Sequence, residues 1–323
     1  MVFHIKILSM KYLSIVLSIL ISGSLFSQSC FVNGITFTTQ SQINNFSQSF
    51  PSCTSIIGDV NIEGATSSSI QSINGLAQIR SIGGNLRIAN NDDLINLFGF
   101  ENLTNLDGDL LIFSNQNLED ISAFEDLHDI GGYLHISSNY SLEDLTGLDN
   151  INDIGESLLI FDNDNLEDIS ALGQISTIGG TLTIAKNDSL TTLVGLENIY
   201  YGITDLRIFA NPSLSICSLP RICTYLSNGG NHLITGNAQG CLNAEEISSF
   251  CLLSDPCTKM IVSVDFDPVI NGTYQAIEEL NSSGNIPIDG DVHFTAGNCI
   301  TIEAGFSVAI NARFLAEIKN CGL

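Results

Sequence analysis

Apolar and polar positions recur along this chain with a fixed beat. The segment Leu-x-Ile-x-x-Asn begins at Leu86, Leu110, Leu134, Leu158, Leu182 and Leu206, each start 24 residues after the last. Further apolar columns, headed by Leu94, Leu97, Phe100, Leu103 and Leu106, keep the same period, so each turn directs seven apolar side chains inward. A period of roughly 20–50 residues means stacked coils rather than a globule with one centre. The spacing of three between columns, broken by Gly and Asn in every turn, cannot sustain a helix. Short strands joined by tight corners fit it, and successive coils stack about 4.8 Å apart as parallel sheet. The predicted fold class is mainly β: a right-handed parallel β-solenoid with disulfide-bonded caps and a small C-terminal all-β module.

The polar columns have structural roles in this reading. Asn91, Asn115, Asn139, Asn163, Asn187 and Asn211 lie at one corner, where stacked amides satisfy a buried turn. Gly84, Gly108, Gly132 and Gly180 precede the strand and read as turn positions needing a permissive backbone. A second period of 48 overlies the first: residues 109–123 match 157–171 at 12 of 15 positions. A two-coil unit has been duplicated.

The flanks differ from the repeats. Residues 39–50 predict a short helix capped by Thr39 and stopped by Pro51, with Ile43, Phe46 and Phe50 on one face. Asn243-Ala-Glu-Glu246 reads as a capped helix start. The division predicted is a signal peptide over 1–29, an N-terminal cap over 30–57, the solenoid over 58–216, a cysteine-rich cap over 217–257 and a β module over 258–323. Lys6, Lys11 and the apolar stretch Tyr12–Leu20 make the leader, which is too short to span a bilayer. The mature chain has no stretch that predicts a transmembrane helix, so it is expected to be exported, either secreted or at the cell surface.

Cysteine usage agrees with export. All nine Cys lie beyond the leader and none interrupts the repeats. Cys30 and Cys53 predict one bridge over the N-terminal cap, with lipid attachment at Cys30 as the other reading. Cys217, Cys223, Cys241 and Cys251 predict two more, Cys217–Cys241 with Cys223–Cys251 being one of three pairings. Cys257, Cys299 and Cys321 have no assigned partners. CxxC metal spacing is absent. The net charge of −25 becomes about −27 without the two leader lysines, and Asp and Glu are absent before residue 59. Such a surface repels nucleic acid and anionic lipid.

The stretch Ile82-Gly-Gly-x-Leu86-x-Ile88, the Asn column and Leu-x-Gly-Leu at 145–148 and 193–196 resemble the receptor L-domain, a ligand-binding leucine-rich solenoid. The Cys217–Cys251 segment is similar to lids that close such arrays in exported Bacteroidetes proteins. The tail, with Gly272-Thr-Tyr-x-Ala276, Val292-x-Phe-x-Ala-Gly297 and Ala304-Gly-Phe306, resembles the three-coathanger stack module of the same bacteria. The resemblance implies binding and names no ligand.

Two surfaces offer chemistry. If Leu and Ile of each Leu-x-Ile point inward, the residue between them and the one after point outward. That places Arg87, Leu111, Phe113, His135, Leu159, Phe161, Arg207 and Phe209 on the outer face of one sheet. Phe113, Phe161 and Phe209 recur every second coil, at about 9.6 Å. An apolar stripe of this kind is either a partner-binding face, for a protein or a glycan, or is covered by the chain itself. The second surface is acidic: Glu119, Glu143 and Glu167 form one column and Asp120, Asp144 and Asp168 its neighbour. Like charges about 4.8 Å apart repel by roughly 1 kcal/mol per pair, so Ca²⁺ is the one cofactor to consider there; a solvated acidic face is the plainer reading.

His128, His135, His232 and His293 show no metal or triad spacing, and neither a nucleophile elbow nor a phosphate loop occurs. The function expected is therefore non-catalytic binding at or beyond the cell surface. A structural surface or matrix component and a polysaccharide-acting enzyme are the alternatives.

Overall fold

The computed structural model describes residues 28–65 and 70–254, together with eight strands between 261 and 318. The leader reading of 1–27 lies outside the described residues, as does the pairing of Cys257, Cys299 and Cys321. Two parallel sheets run the length of the repeats. The long sheet has nine strands and the short sheet seven, each in chain order, with most neighbours joined by a crossover through the other sheet. In the long sheet Leu110, Leu134, Leu158 and Leu182 lie in register, so the 24-residue beat of the sequence is one rung of the stack. The short sheet contributes two-residue strands such as Asp129–Ile130 and Asp153–Ile154. The leucine and isoleucine columns fill the space between the sheets and are almost wholly buried.

The long sheet runs one rung past the repeats at each end. Ile35–Phe37 pairs with Val60–Ile62, and His232–Thr235 pairs with Asp205–Phe209. These outer rungs fall 25 and 26 residues from their neighbours, off the beat, by the registers Ile35↔Val60 and Leu206↔His232. Gln28 and Ser29, assigned to the leader by sequence, pair in the short sheet with Cys53 and Ser55.

The N-terminal helical segment is broken in two, α1 (Gln40–Asn44) and α2 (Phe46–Ser49). The Thr39 hydroxyl accepts from the Gln42 amide while the Gln42 side chain accepts from Thr39 and Thr38, a reciprocal cap. Ile43 and Phe46 are buried, but Phe50 lies past the second helix and is 43% exposed. The C-terminal lid holds α3 (Pro220–Ser227), which the sequence reading passed over, and α4 (Ala244–Ser254). The Asn243 side-chain oxygen Oδ1 accepts from the Glu246 amide at 2.8 Å, capping α4. Disulfides join Cys30 to Cys53, Cys217 to Cys241 and Cys223 to Cys251. With its sulfur in a bridge, Cys30 is not a lipid-attachment site.

The asparagine corner is a continuous ladder. In Asn163 the side-chain amide donates to Ile136 and Phe161 carbonyls, and its oxygen accepts from the Asn139 backbone at 3.1 Å. Asn237, from the lid, adds a seventh member below Asn211. Gly84, Gly108, Gly132 and Gly180 do not serve as turn residues with positive φ. They are glycines because a second ladder passes beside them: a Cβ on Gly132 would lie 2.0 Å from Asp109 Oδ1, which accepts from the Tyr133 amide. The left-handed corners are instead Asn90, Ser114, Ser138, Asp162, Lys186 and Ala210, immediately before each ladder asparagine.

The eight tail strands pair in parallel as two three-stranded sheets and one two-stranded sheet. Their registers, from Ile261↔Glu279 to Val292↔Phe314, advance by 18 to 22 residues per coil. That drift conceals a second short coil stack from a search for a constant period.

Candidate binding surface

The outer face of the long sheet carries two columns of side chains. Strand registers place Arg87, Leu111, His135, Leu159, Thr183 and Arg207 in one, and Ala89, Phe113, Ser137, Phe161, Ala185 and Phe209 in the other. The small residues Ala89, Ser137, Thr183 and Ala185, expected to be exposed, are buried on this face. At Ser137 the cause is a neighbour leaning across from the adjacent column. The His135 ring lies over Ser137, with Nε2 2.8 Å from Ser137 Oγ, and stacks between Phe113 and Phe161 at 5.6 and 5.0 Å. The Arg87 guanidinium stands 4.8 Å from the centre of the Phe113 ring. Cation, ring, imidazole and ring therefore form one ladder over four consecutive strands, with Leu111 and Leu159 half-buried beside it.

The ladder is anchored by charge at its upper end. Arg87 pairs with Glu63 at 2.5 Å, and Asn90 donates to the other Glu63 oxygen at 2.6 Å. These hydrogen bonds hold the Glu63 carboxyl below its ordinary value. Burial among the rings lowers the proton affinity of His135, so the imidazole stays neutral to lower pH than an ordinary histidine. His135 is thus half-buried rather than open to water.

The remaining two site residues stand apart. The strand Thr181–Ala185 separates Phe161 from Phe209. Arg207 turns back to Asp205 at 2.7 Å instead of joining the stack. Among the described residues before Cys53 none supplies a ring contact to the face: Phe31, Phe37, Phe46 and Phe50 pack on one another at the N-terminal end.

The aspartate column is used by the backbone, while Glu119, Glu143 and Glu167 are exposed. Asp120, Asp144 and Asp168 each accept from the amide two residues on, at Ser122, Thr146 and Ser170. Asn96 and Thr192 do the same in rungs without an acid. The column is therefore a turn motif that tolerates several acceptors. Among the described residues no three acidic, His or Cys side chains converge where a metal would sit.

One aromatic–cation contact has no sequence signal, because it falls in no column. The Arg221 guanidinium of α3 lies 3.6 Å from the Tyr200 ring, beside Tyr201, in a small cleft at the end of the short sheet.

Fold and face define a disulfide-bonded, leucine-rich parallel β-solenoid with a stacked aromatic outer surface. Residues 52–123 and 104–192 each match the family model described as Receptor L domain. The two windows overlap and together run from 52, at the end of the N-terminal cap, to 192 in the repeats, across the whole Arg87–Phe161 ladder. The match suggests a binding or recognition role, that family being non-enzymatic, and with the disulfides it suggests an extracellular setting. No curated protein and no solved structure matches the chain. No helix among the described residues is long and apolar enough to cross a membrane.

Proposed function

We propose that this is an exported recognition protein whose long-sheet face, centred on Arg87, Phe113, His135 and Phe161, binds a protein partner outside the cell. The observation that carries the reading is the ladder itself. Aromatic and arginine side chains dominate the energetics of protein contacts, and here they are preorganised by stacking on one flat face. Leu111 and Leu159 extend the apolar area, while Phe209 and Arg207 are a separate extension beyond Thr183. Binding of an unstructured or flat epitope would lose little side-chain entropy on this side, since the rings are already held. The tail belongs to the same reading as a three-coathanger-type module, supported by its small parallel sheets.

The test is cross-linking in the native setting from photoreactive groups at Leu111 and Leu159, followed by affinity measurement on the purified captured protein. Phe113→Ala with Phe161→Ala should weaken that complex by at least ten-fold per ring, since a hot-spot truncation costs about 2 kcal/mol. Circular dichroism should remain that of the parent. Unchanged affinity assigns the face to structure, as in a surface or matrix component. Binding on a glycan array that the same pair abolishes would replace the protein partner with a sugar.

A further inference from the structure

The N-terminal end of the stack is unlike the rest of the molecule. From Tyr12 to Gly58 the chain has no Asp, Glu, Lys, Arg or His, although its net charge is −25. Its described part, from Gln28 on, builds the first rung and α1–α2. Ile35–Phe37 is the outermost strand of the long sheet. The Ile35 amide donates to Asp59 and the Phe37 carbonyl accepts from Glu63, so both residues turn toward the next rung. In a parallel pair the intervening residue turns the other way, which leaves the N–H and C=O of Thr36 aimed outward. Among the described residues no strand pairs with this edge.

The two short helices cover only part of the end. A hollow of about 420 Å³ lies between them and the edge strand, floored by Phe31, Phe46 and Phe50 and rimmed by Ser41, Asn45 and Ser49. A second hollow, about 230 Å³, meets Phe50 from the other side, at Ser29, Pro51 and Ser52. Val32 is 69% exposed at the same end. Unpaired backbone, apolar concavity and exposed apolar side chains thus coincide where the charge vanishes.

We propose that this end is a self-association face: two copies meet end to end about a two-fold axis, with antiparallel pairing through Thr36 and with Val32 and Phe50 covered. The charge pattern selects a second copy as the occupant. A two-fold contact sets a surface against itself, so any charge on it would meet its like. A contact over the acidic columns of this chain would bring carboxylates together; the first rung has none. The opposite end carries Glu245 and Glu246 in the first turn of α4, so a head-to-tail contact would bury acids against groups that cannot pair with them. Stable interfaces need about 1,000 Å², which a single solenoid end barely supplies, and the dimer is accordingly concentration-dependent.

Sedimentation equilibrium of the exported full chain over the micromolar range tests this. The expected result is a monomer–dimer equilibrium that tightens with salt, because salt screens the net repulsion between two acidic bodies. Val32→Glu and Val32→Lys should each weaken the dimer on the order of a hundred-fold, since either charge meets its own copy across the axis. Val32 is exposed in the single chain, so the melting temperature should not change; Ser49→Asp, also at an exposed position, provides a second variant. A chain that stays monomeric throughout overturns the proposal. So does a dimer that ignores these variants, or one that a charge of one sign strengthens.

Discussion

At the scale of single residues, His135 shows how a repeat becomes a specific surface. Its rung differs from its neighbours by a ring in one column and Ser137 in the next, and the ring leans over the small residue to lie between two phenylalanines. Burial depresses its affinity for protons. The unfolded chain then takes up the proton before the folded one does, so stability is full at neutral pH and declines as pH falls below about 6.5. It levels off once the folded imidazole titrates too. His135→Phe keeps a ring in the stack and should abolish that part of the slope, read as melting temperature between about pH 7.5 and about pH 5. Glu63 acts in a separate window: its lowered pKa adds stability that is lost as pH falls through the carboxylate range. The outward direction of His135 was legible from the alternation of the strand. Its burial was not, because alternation reports which way a Cβ points and not what a neighbour's ring does. The asparagine ladder was legible for the converse reason: one residue type repeated at one corner has one explanation. Asn163→Ala leaves the Ile136 and Phe161 carbonyls and the Asn139 amide without their partner. Chemical denaturation should register roughly 2–4 kcal/mol of lost stability, the cost of unsatisfied buried groups.

At the scale of elements, the 48-residue period acquires a cause. Rungs alternate on the third side of the coil. One kind makes a 3-10 turn, as at Asn74–Leu76, Ser122–Phe124 and Ser170–Gln174. The other places a positive-φ glycine there, at Gly99, Gly147 and Gly195, whose amide donates to a carboxylate two residues on, at Glu101, Asp149 and Glu197. Asn102, Asn150 and Asn198 then tie each glycine rung to the turn of the previous one. The text of the sequence displays the duplication, but a string match cannot say that two turn types are being interleaved. The consequence is a sharp contrast between two Gly→Ala changes. At Gly147, φ is +108° and a Cβ would stand 2.5 Å from the Ile121 carbonyl, so Gly147→Ala should cost roughly 2–4 kcal/mol. At Gly173, inside a 3-10 turn, a Cβ meets nothing within 4 Å. Gly173→Ala should be neutral or stabilise by about 0.4–1 kcal/mol through the unfolded chain. Equal effects in urea melts would mean that the alternation of turns is not what the period encodes.

At the scale of the whole molecule, each rung touches only the rungs beside it, so stability is set by a chain of neighbour contacts with two weak ends. The sequence marks the interior of this array by its beat and the ends by cysteine. It does not mark where pairing stops, because Ile35–Phe37 and His232–Thr235 join at irregular spacing. The bridges sit at those ends: Cys30–Cys53 ties the first rung to the second, and Cys217–Cys241 and Cys223–Cys251 hold the lid that carries the last strand. Closing loops of 23 to 28 residues stabilises by about 3.5 kcal/mol each in the chain-entropy account. In a globule with one centre that loss would be shared by every amide. In a linear stack it falls on the terminal rungs, which have one neighbour, while the centre keeps two. Reduction under native conditions should therefore strip hydrogen-exchange protection from Ile35–Phe37 and His232–Thr235 well before Leu134–Ser137, with the Phe113–His135–Phe161 stack still formed. If the central strand lost protection in step with the ends, the rungs would be one cooperative unit and the bridges would secure the recognition face directly.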